Sequence, residues 1–321
     1  MSCPDFVCMG FQKCGTTTLY EIIKQHPEVA LCRDVKEPMF YRTPRLFFRI
    51  MGGNRFYQKR YFGHIPKEDP RLKGEINAGL TYSFCAERLK EDFDPDVKMI
   101  FMMRNPADRS YSAYKYFLAR GFLPASAIRY DARHGHAEGF DHYVHSVLDS
   151  KKRRSEILKR PTYYMTISQS LYAANIRQYQ DTFSPDNMKY VIFEEFVQDE
   201  HKACREIYDF LGISDPEGIN YSIRANEGKE RALSVPMAKW YRIMKGSFYV
   251  AYEFLEMPRR TPKTYSYFHR YFKYTRGRAM GEDFDHSRML PETREYLMRY
   301  YASDIRELSK MTGKNLNKIW N

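Results

Sequence analysis

Residues 6–18 read FVCMGFQKCGTTT, and LYEIIKQHPEV follows at 19–29. The apolar run 6–11 has the length and β-rich content of a buried strand, and the apolar spacing resumes after the threonines with the rhythm of an amphipathic helix. A strand that breaks into a glycine-bearing loop and restarts as a helix aims backbone N–H groups and the positive end of a helix dipole at one point. That arrangement suits a phosphate or a sulfate.

Gly10 and Gly15 have the spacing of the phosphate-binding P-loop, GxxxxGK[ST]. Thr16 stands where that pattern has its lysine, and Lys13 sits inside the loop instead. Two further runs, VKMIFMM (97–103) and KYVIFEEF (189–196), are short and nearly continuously apolar, as parallel strands buried on both faces are. ADRSYSAYKYFLA follows the first of these and HKACREIYDFLG the second, with Gly212 as a C-cap, and SQSLYAANIRQYQDTF (168–183) reads as one helix. Strands alternating with helices predict an α/β fold: a P-loop-like, doubly wound central parallel sheet with flanking helices and helical insertions.

A second site lies in MIFMMRNPADRSYSAYKYF (99–117). Arg104 ends a strand, Pro106 is placed to open a helix, and Ser112 falls one to two turns into it. A guanidinium at a strand tip and a hydroxyl on the next helix can meet one phosphate. Two such devices imply a ligand with phosphate groups at two places.

The chain has 321 residues and a net charge of +12, from 52 basic and 40 acidic side chains. That balance favours anionic partners without choosing among them. The six cysteines show no CxxC spacing, which argues against a zinc site or a disulfide scaffold. No apolar stretch reaches the ~18 residues of a membrane span, and the first strand begins by Asp5, so a cytoplasmic protein without a signal peptide is expected.

The two phosphate motifs together resemble the sulfotransferases that use 3′-phosphoadenosine 5′-phosphosulfate (PAPS). QKCGTTTLYEIIKQHPEV looks like their 5′-phosphosulfate loop and RNPADRSYSAY like their 3′-phosphate element, with KEPMFY (36–41) between them. The resemblance implies that Lys13, Cys14, Gly15, Thr16, Thr17 and Thr18 bind the 5′-phosphosulfate, with Lys13 also neutralising the leaving oxygen. It implies that Arg104 and Ser112 hold the 3′-phosphate and that Tyr172 approaches the nucleotide. Arg276, Gly277 and Arg278 look like the late basic loop over the cofactor, with Lys229 and Arg231 as the alternative. Glu37 matches the catalytic base of the glycan-modifying, heparan-type branch, although Met39 replaces the histidine found there. GEINAGLTYSF (74–84) keeps Glu75 and Tyr82 of a further family pattern and loses its Thr-Pro pair.

The implied reaction moves a sulfuryl group from PAPS to a hydroxyl or amine of a glycan, leaving adenosine 3′,5′-bisphosphate, with no metal required. A small-molecule acceptor is the alternative within the same chemistry. One domain is expected over 1–321, with insertions at about 42–74, 120–166 and 235–288 forming the acceptor elements. The third insertion interleaves aromatics with lysines and arginines, either as a helical subdomain or as a surface for a glycan, a lipid-linked acceptor or a membrane face. No nucleic-acid partner is expected. A P-loop kinase is disfavoured because Thr16 replaces its lysine and an arginine ends VKMIFMM.

Overall fold

The computed structural model describes residues 4–32, 36–38, 40–42, 49–50, 52–81, 83–119, 122–149, 161–223 and 287–320. The segments 226–231 and 276–278 lie outside these residues, as do Met39, Tyr82 and nearly all of 235–288. Two compact units are present, one formed by 1–109, 169–227 and 300–321, the other by 110–168 and 228–299.

Among the described residues the first unit holds five parallel strands: β1 (Phe6–Cys8), β2 (Val29–Leu31), β3 (Leu72–Ile76), β4 (Lys98–Met103) and β5 (Met188–Ile192). They lie in the order β2-β3-β1-β4-β5. β1 is central, pairing with β3 through Val7↔Glu75 and with β4 through Val7↔Met99. After β1 the chain passes through α1 (Thr16–Ile23) to β2 on one side, whereas β4 lies on the other side. A doubly wound sheet binds ligands at the strand carboxyl ends where the order reverses, here beyond β1 and β4.

The apolar runs form strands because both of their faces are covered: Phe6, Val7 and Cys8 are buried, as is all of β4 from Met99 to Met103. Burial also pushes the Cys8 thiol up to about 12, so it is a core side chain rather than a thiolate. The helix Glu200–Leu211 ends as expected at Gly212, whose φ of 80° is left-handed.

Two sequence expectations change in detail. β5 stops at Ile192, and Phe193–Gln198 is a helix rather than the end of a strand. Glu194 and Glu195 in its first turn favour the helix dipole, and Glu194 accepts the Asn105 N–H. The helix expected over 168–183 is shorter, Tyr172–Gln180: Ser168 closes the preceding helix Pro161–Ser168, and residues 169–171 turn between the two. The turn is stable because its buried polar groups are satisfied, Gln169 by Thr81 and Ser170 by Arg109. β2 and β3 carry too short or too polar a signal to stand out, and β3 even contains a buried glutamate, Glu75.

In the second unit, Ala125–His134 and His136–Leu148 are consecutive helices. Tyr111, Tyr114, Phe140 and Tyr143 form an aromatic core there, with ring centroids 5.1 to 5.2 Å apart for 111–140, 114–140 and 114–143. Asp131 is buried between the Tyr114 hydroxyl (2.9 Å) and His136 Nδ1 (2.9 Å), so His136 serves this packing.

Candidate active site

The loop after β1 continues the sheet before it turns: Met9 N–H donates to Ile100 O and Phe11 N–H to Met102 O. Cys14 N–H then closes a turn onto Phe11 O at 3.1 Å. Inside that turn Lys13 has φ 74°, the one positive value among the described non-glycine residues. A left-handed lysine costs ~1–2 kcal/mol, and strain of this kind concentrates where a loop must present its groups to a ligand.

Gly15 follows at φ 90° and caps α1 without a side-chain hydrogen bond, and no acidic residue stands in the first turn. Anion-binding helix starts have this form. A Cβ on Gly15 would come 2.7 Å from Phe193 Cδ2, and one on Gly10 would come 2.2 Å from Thr16 Cγ2. Both glycines are therefore demanded by close packing under the loop. Gly15→Ala combines a disfavoured φ with this clash and is expected to lower stability by about 1–3 kcal/mol, read as a fall in the denaturation midpoint. An unchanged midpoint would show that Phe193 gives way freely.

The loop is held from below by two long-range contacts. Arg109, fully buried, donates from Nε to Gln12 O at 2.9 Å. The Tyr172 hydroxyl lies 3.7 Å from Cys14 Sγ and donates to Arg104 O at 2.8 Å. Tyr172 is buried, so it fastens the loop to the β4 tip. The Cys14 side chain is buried too, and desolvation raises its thiol to about 11 against the opposing pull of Arg109. Cys14 thus remains a thiol at neutral pH and offers a ligand only its backbone.

Lys36 is the residue that sequence reasoning passed over. Its Nζ donates to Thr17 Oγ1 at 2.9 Å and Thr16 Oγ1 at 3.2 Å, and stands 3.4 Å from Glu37 Oε1. The KEP segment thereby meets the start of α1, bringing Glu37 to the same place as the loop. Asn77, directly after β3, sets this segment: its Nδ2 donates to Pro38 O (2.8 Å) and to Glu75 Oε1 (2.6 Å). Glu75 also accepts from the Tyr57 hydroxyl, and burial together with this carboxylate drives the Tyr57 phenol far above its ordinary value. Glu75 is therefore buried beneath the site and braces it. The only visible sequence clue to Lys36 was a cation next to the candidate base.

At the β4 tip the Arg104 guanidinium lies over the Phe193 ring, 4.9 Å from its centroid. Asn105 caps the helix Pro106–Ala119 through Oδ1, which accepts from Ala107 N–H at 3.0 Å and Asp108 N–H at 3.3 Å. Lys13 to Thr18, Glu37, Arg104 and Tyr172 all belong to the first unit. Ser112 is half-buried on Pro106–Ala119 and belongs to the second, whereas Arg276, Gly277 and Arg278 fall outside the described residues. His26 is structural, with its ring nitrogens engaged by Ser214 O and Glu28 N–H. Among the described residues no cluster of His, Cys, Asp or Glu could hold a metal, and no helix is long and apolar enough to cross a membrane.

Fold and site define an α/β protein with a glycine-bearing loop, a strand-tip arginine and a lysine–glutamate pair beyond the central strands of a parallel sheet. The sulfotransferase-domain family matches residues 3–247, and the chain belongs to that family. Carbohydrate sulfotransferase 15 of Mus musculus is 22% identical over 251 residues, 65% of this chain and 44% of that protein. Heparan sulfate glucosamine 3-O-sulfotransferase 3B1 of Mus musculus is 24% identical over 215 residues, 65% of this chain and 46% of that protein. The chain thus spans less than half the length of these relatives. A sulfotransferase from Alicyclobacillus acidocaldarius has the same fold, with TM-score 0.60, 20% identity and full coverage of both chains.

Proposed function

We propose that this chain transfers a sulfuryl group from PAPS to a hydroxyl or amine of a saccharide or glycan. The observation that carries the reading is the convergence of Lys13, Thr16, Thr17, Lys36 and Glu37 around one loop. The chemistry needs an anion-binding cradle, a cation for the leaving oxygen and a base for the acceptor proton, all in line. The residues of the loop fit a phosphosulfate: a helix start free of acids, two glycines that admit no side chain, and two threonine hydroxyls joined to a lysine.

In this reading the backbone from Lys13 to Thr18 binds the 5′-phosphosulfate. Arg104 and Ser112 take the 3′-phosphate that separates PAPS from ATP. Glu37 accepts the proton of the acceptor group as its oxygen or nitrogen bonds to sulfur, while the bond from sulfur to the phosphate oxygen breaks. Lys13 meets the charge that develops on that oxygen, and Lys36 holds Glu37 beside the loop. The product is a sulfate ester or sulfamate with adenosine 3′,5′-bisphosphate, and no metal enters the step. A glycan acceptor is supported by the KEPMFY resemblance and by the carbohydrate and heparan sulfate sulfotransferases among the relatives. The insertions of one sulfotransferase domain supply the acceptor surface.

Two measurements test this. Adenosine 3′,5′-bisphosphate is expected to raise the melting temperature more than ATP with Mg²⁺ at equal concentration; the opposite order would favour a kinase. Labelled sulfate from PAPS should pass into chondroitin or heparosan chains rather than into 4-nitrophenol, and labelling of the phenol alone would make the acceptor a small molecule.

A further inference from the structure

The family match ends at residue 247, yet the chain's last helices reach the residues that follow β4 and β5. The helix Tyr172–Gln180 has no side-chain cap of its own. Asp304, on the helix Pro291–Thr312, supplies one from afar, accepting from Ala173 N–H and Ala174 N–H at 3.1 Å each. Its carboxylate is nearly buried, a position that a helix N-terminus makes tolerable. Arg177 pairs with Glu307 and Lys314 with Glu195, adding two ion pairs between the same segment and the strand-end helices.

The last contact reaches closest to the site. Trp320 is almost fully buried, with its ring centroid 6.2 Å from that of Tyr172. Its backbone oxygen accepts from Asn105 Nδ2 at 2.7 Å, and its indole N–H donates to Glu194 Oε2 at 2.9 Å. Glu194 Oε1 in turn accepts the Asn105 N–H at 2.9 Å. These three bonds close a ring through the residue that follows Arg104. On its other side Arg104 is gripped through its carbonyl by Tyr172, whose helix Asp304 caps. The segment therefore touches both residues that flank or hold the Arg104 backbone, Asn105 directly after it and Tyr172 at its carbonyl.

We infer that the C-terminal segment from Tyr300 to Trp320 is a positioning element of the nucleotide site, with Trp320 and Asp304 setting the place of Arg104 and hence the recognition of a 3′-phosphate. The inference rests on the PAPS reading above, in which Arg104 binds that phosphate.

The test is calorimetric titration of the full chain with adenosine 3′,5′-bisphosphate and with adenosine 5′-phosphate, the ratio of the second dissociation constant to the first reporting the 3′-phosphate alone. Trp320→Phe removes the indole donor and keeps an aromatic ring. Glu194→Gln places an amide where one of the two N–H groups needs an acceptor, without opening a cavity. Each should lower the ratio by about 3- to 10-fold, the worth of one buried hydrogen bond, while binding of adenosine 5′-phosphate changes less. Wild-type ratios in both variants, even with lowered melting temperatures, would reduce the segment to a fold stabiliser and overturn the inference. A wild-type protein that does not distinguish the two nucleotides would instead defeat the PAPS reading itself, and the inference with it.

Discussion

Glu37→Gln is expected to leave the affinity for adenosine 3′,5′-bisphosphate within about two-fold of wild type and to lower sulfuryl transfer by ~10²–10⁴-fold, the usual contribution of a general base. Glutamine preserves the shape of the side chain and its hydrogen bond from Lys36, which stands 3.4 Å from Glu37 Oε1. It cannot take a proton from an acceptor. The neighbouring backbone should hold, because Asn77, directly after β3, fixes Pro38 O independently of the carboxylate. Single-turnover transfer from labelled PAPS into whichever chain the wild-type protein sulfates separates the chemical step from binding. Near-normal transfer would remove Glu37 from catalysis and leave it a partner of Lys36. Such a result would also reopen the question raised by Met39, since a thioether can neither relay a proton nor donate a hydrogen bond.

Arg104→Ala carries the second large effect. A lost charge-assisted hydrogen bond is worth ~1.5–3 kcal/mol, or roughly 10- to 150-fold in the dissociation constant. The weakening should appear with adenosine 3′,5′-bisphosphate and be nearly absent with adenosine 5′-phosphate. Part of any general loss would come from the guanidinium that covers Phe193, the ring against which Gly15 packs. Equal weakening of both nucleotides would therefore mean that Arg104 braces the loop rather than reading the 3′-phosphate.

Much of the framework is legible in local sequence. Glycines ten and fifteen, the apolar run before them and the amphipathic run after them describe one strand, one loop and one helix, and these elements are present as β1, the loop and α1. Arg104 and Pro106 likewise announce a strand end and a helix start, to which the structure adds Asn105 as the cap. The less legible parts failed for identifiable reasons. β3 hides because Glu75 interrupts its apolar pattern, and that glutamate is tolerated because partners such as Tyr57 and Asn77 satisfy it. The late start of the helix expected over 168–183 is invisible because its first turn is capped by Asp304, a residue of another helix.

The sequence alone determined the strand–loop–helix at residues 6–23, the arginine at the end of β4 and the parallel α/β plan, because glycine spacing, apolar runs and capping signals act over a few residues. Tertiary structure alone decided which side chains share that loop. Lys36 meets Thr16 across 20 positions, Tyr172 meets Arg104 across 68, and Trp320 meets Asn105 across 215. Such contacts have no local signature: each side chain is polar or aromatic in an ordinary context, and only the strand order β2-β3-β1-β4-β5 brings their segments to one end of the sheet.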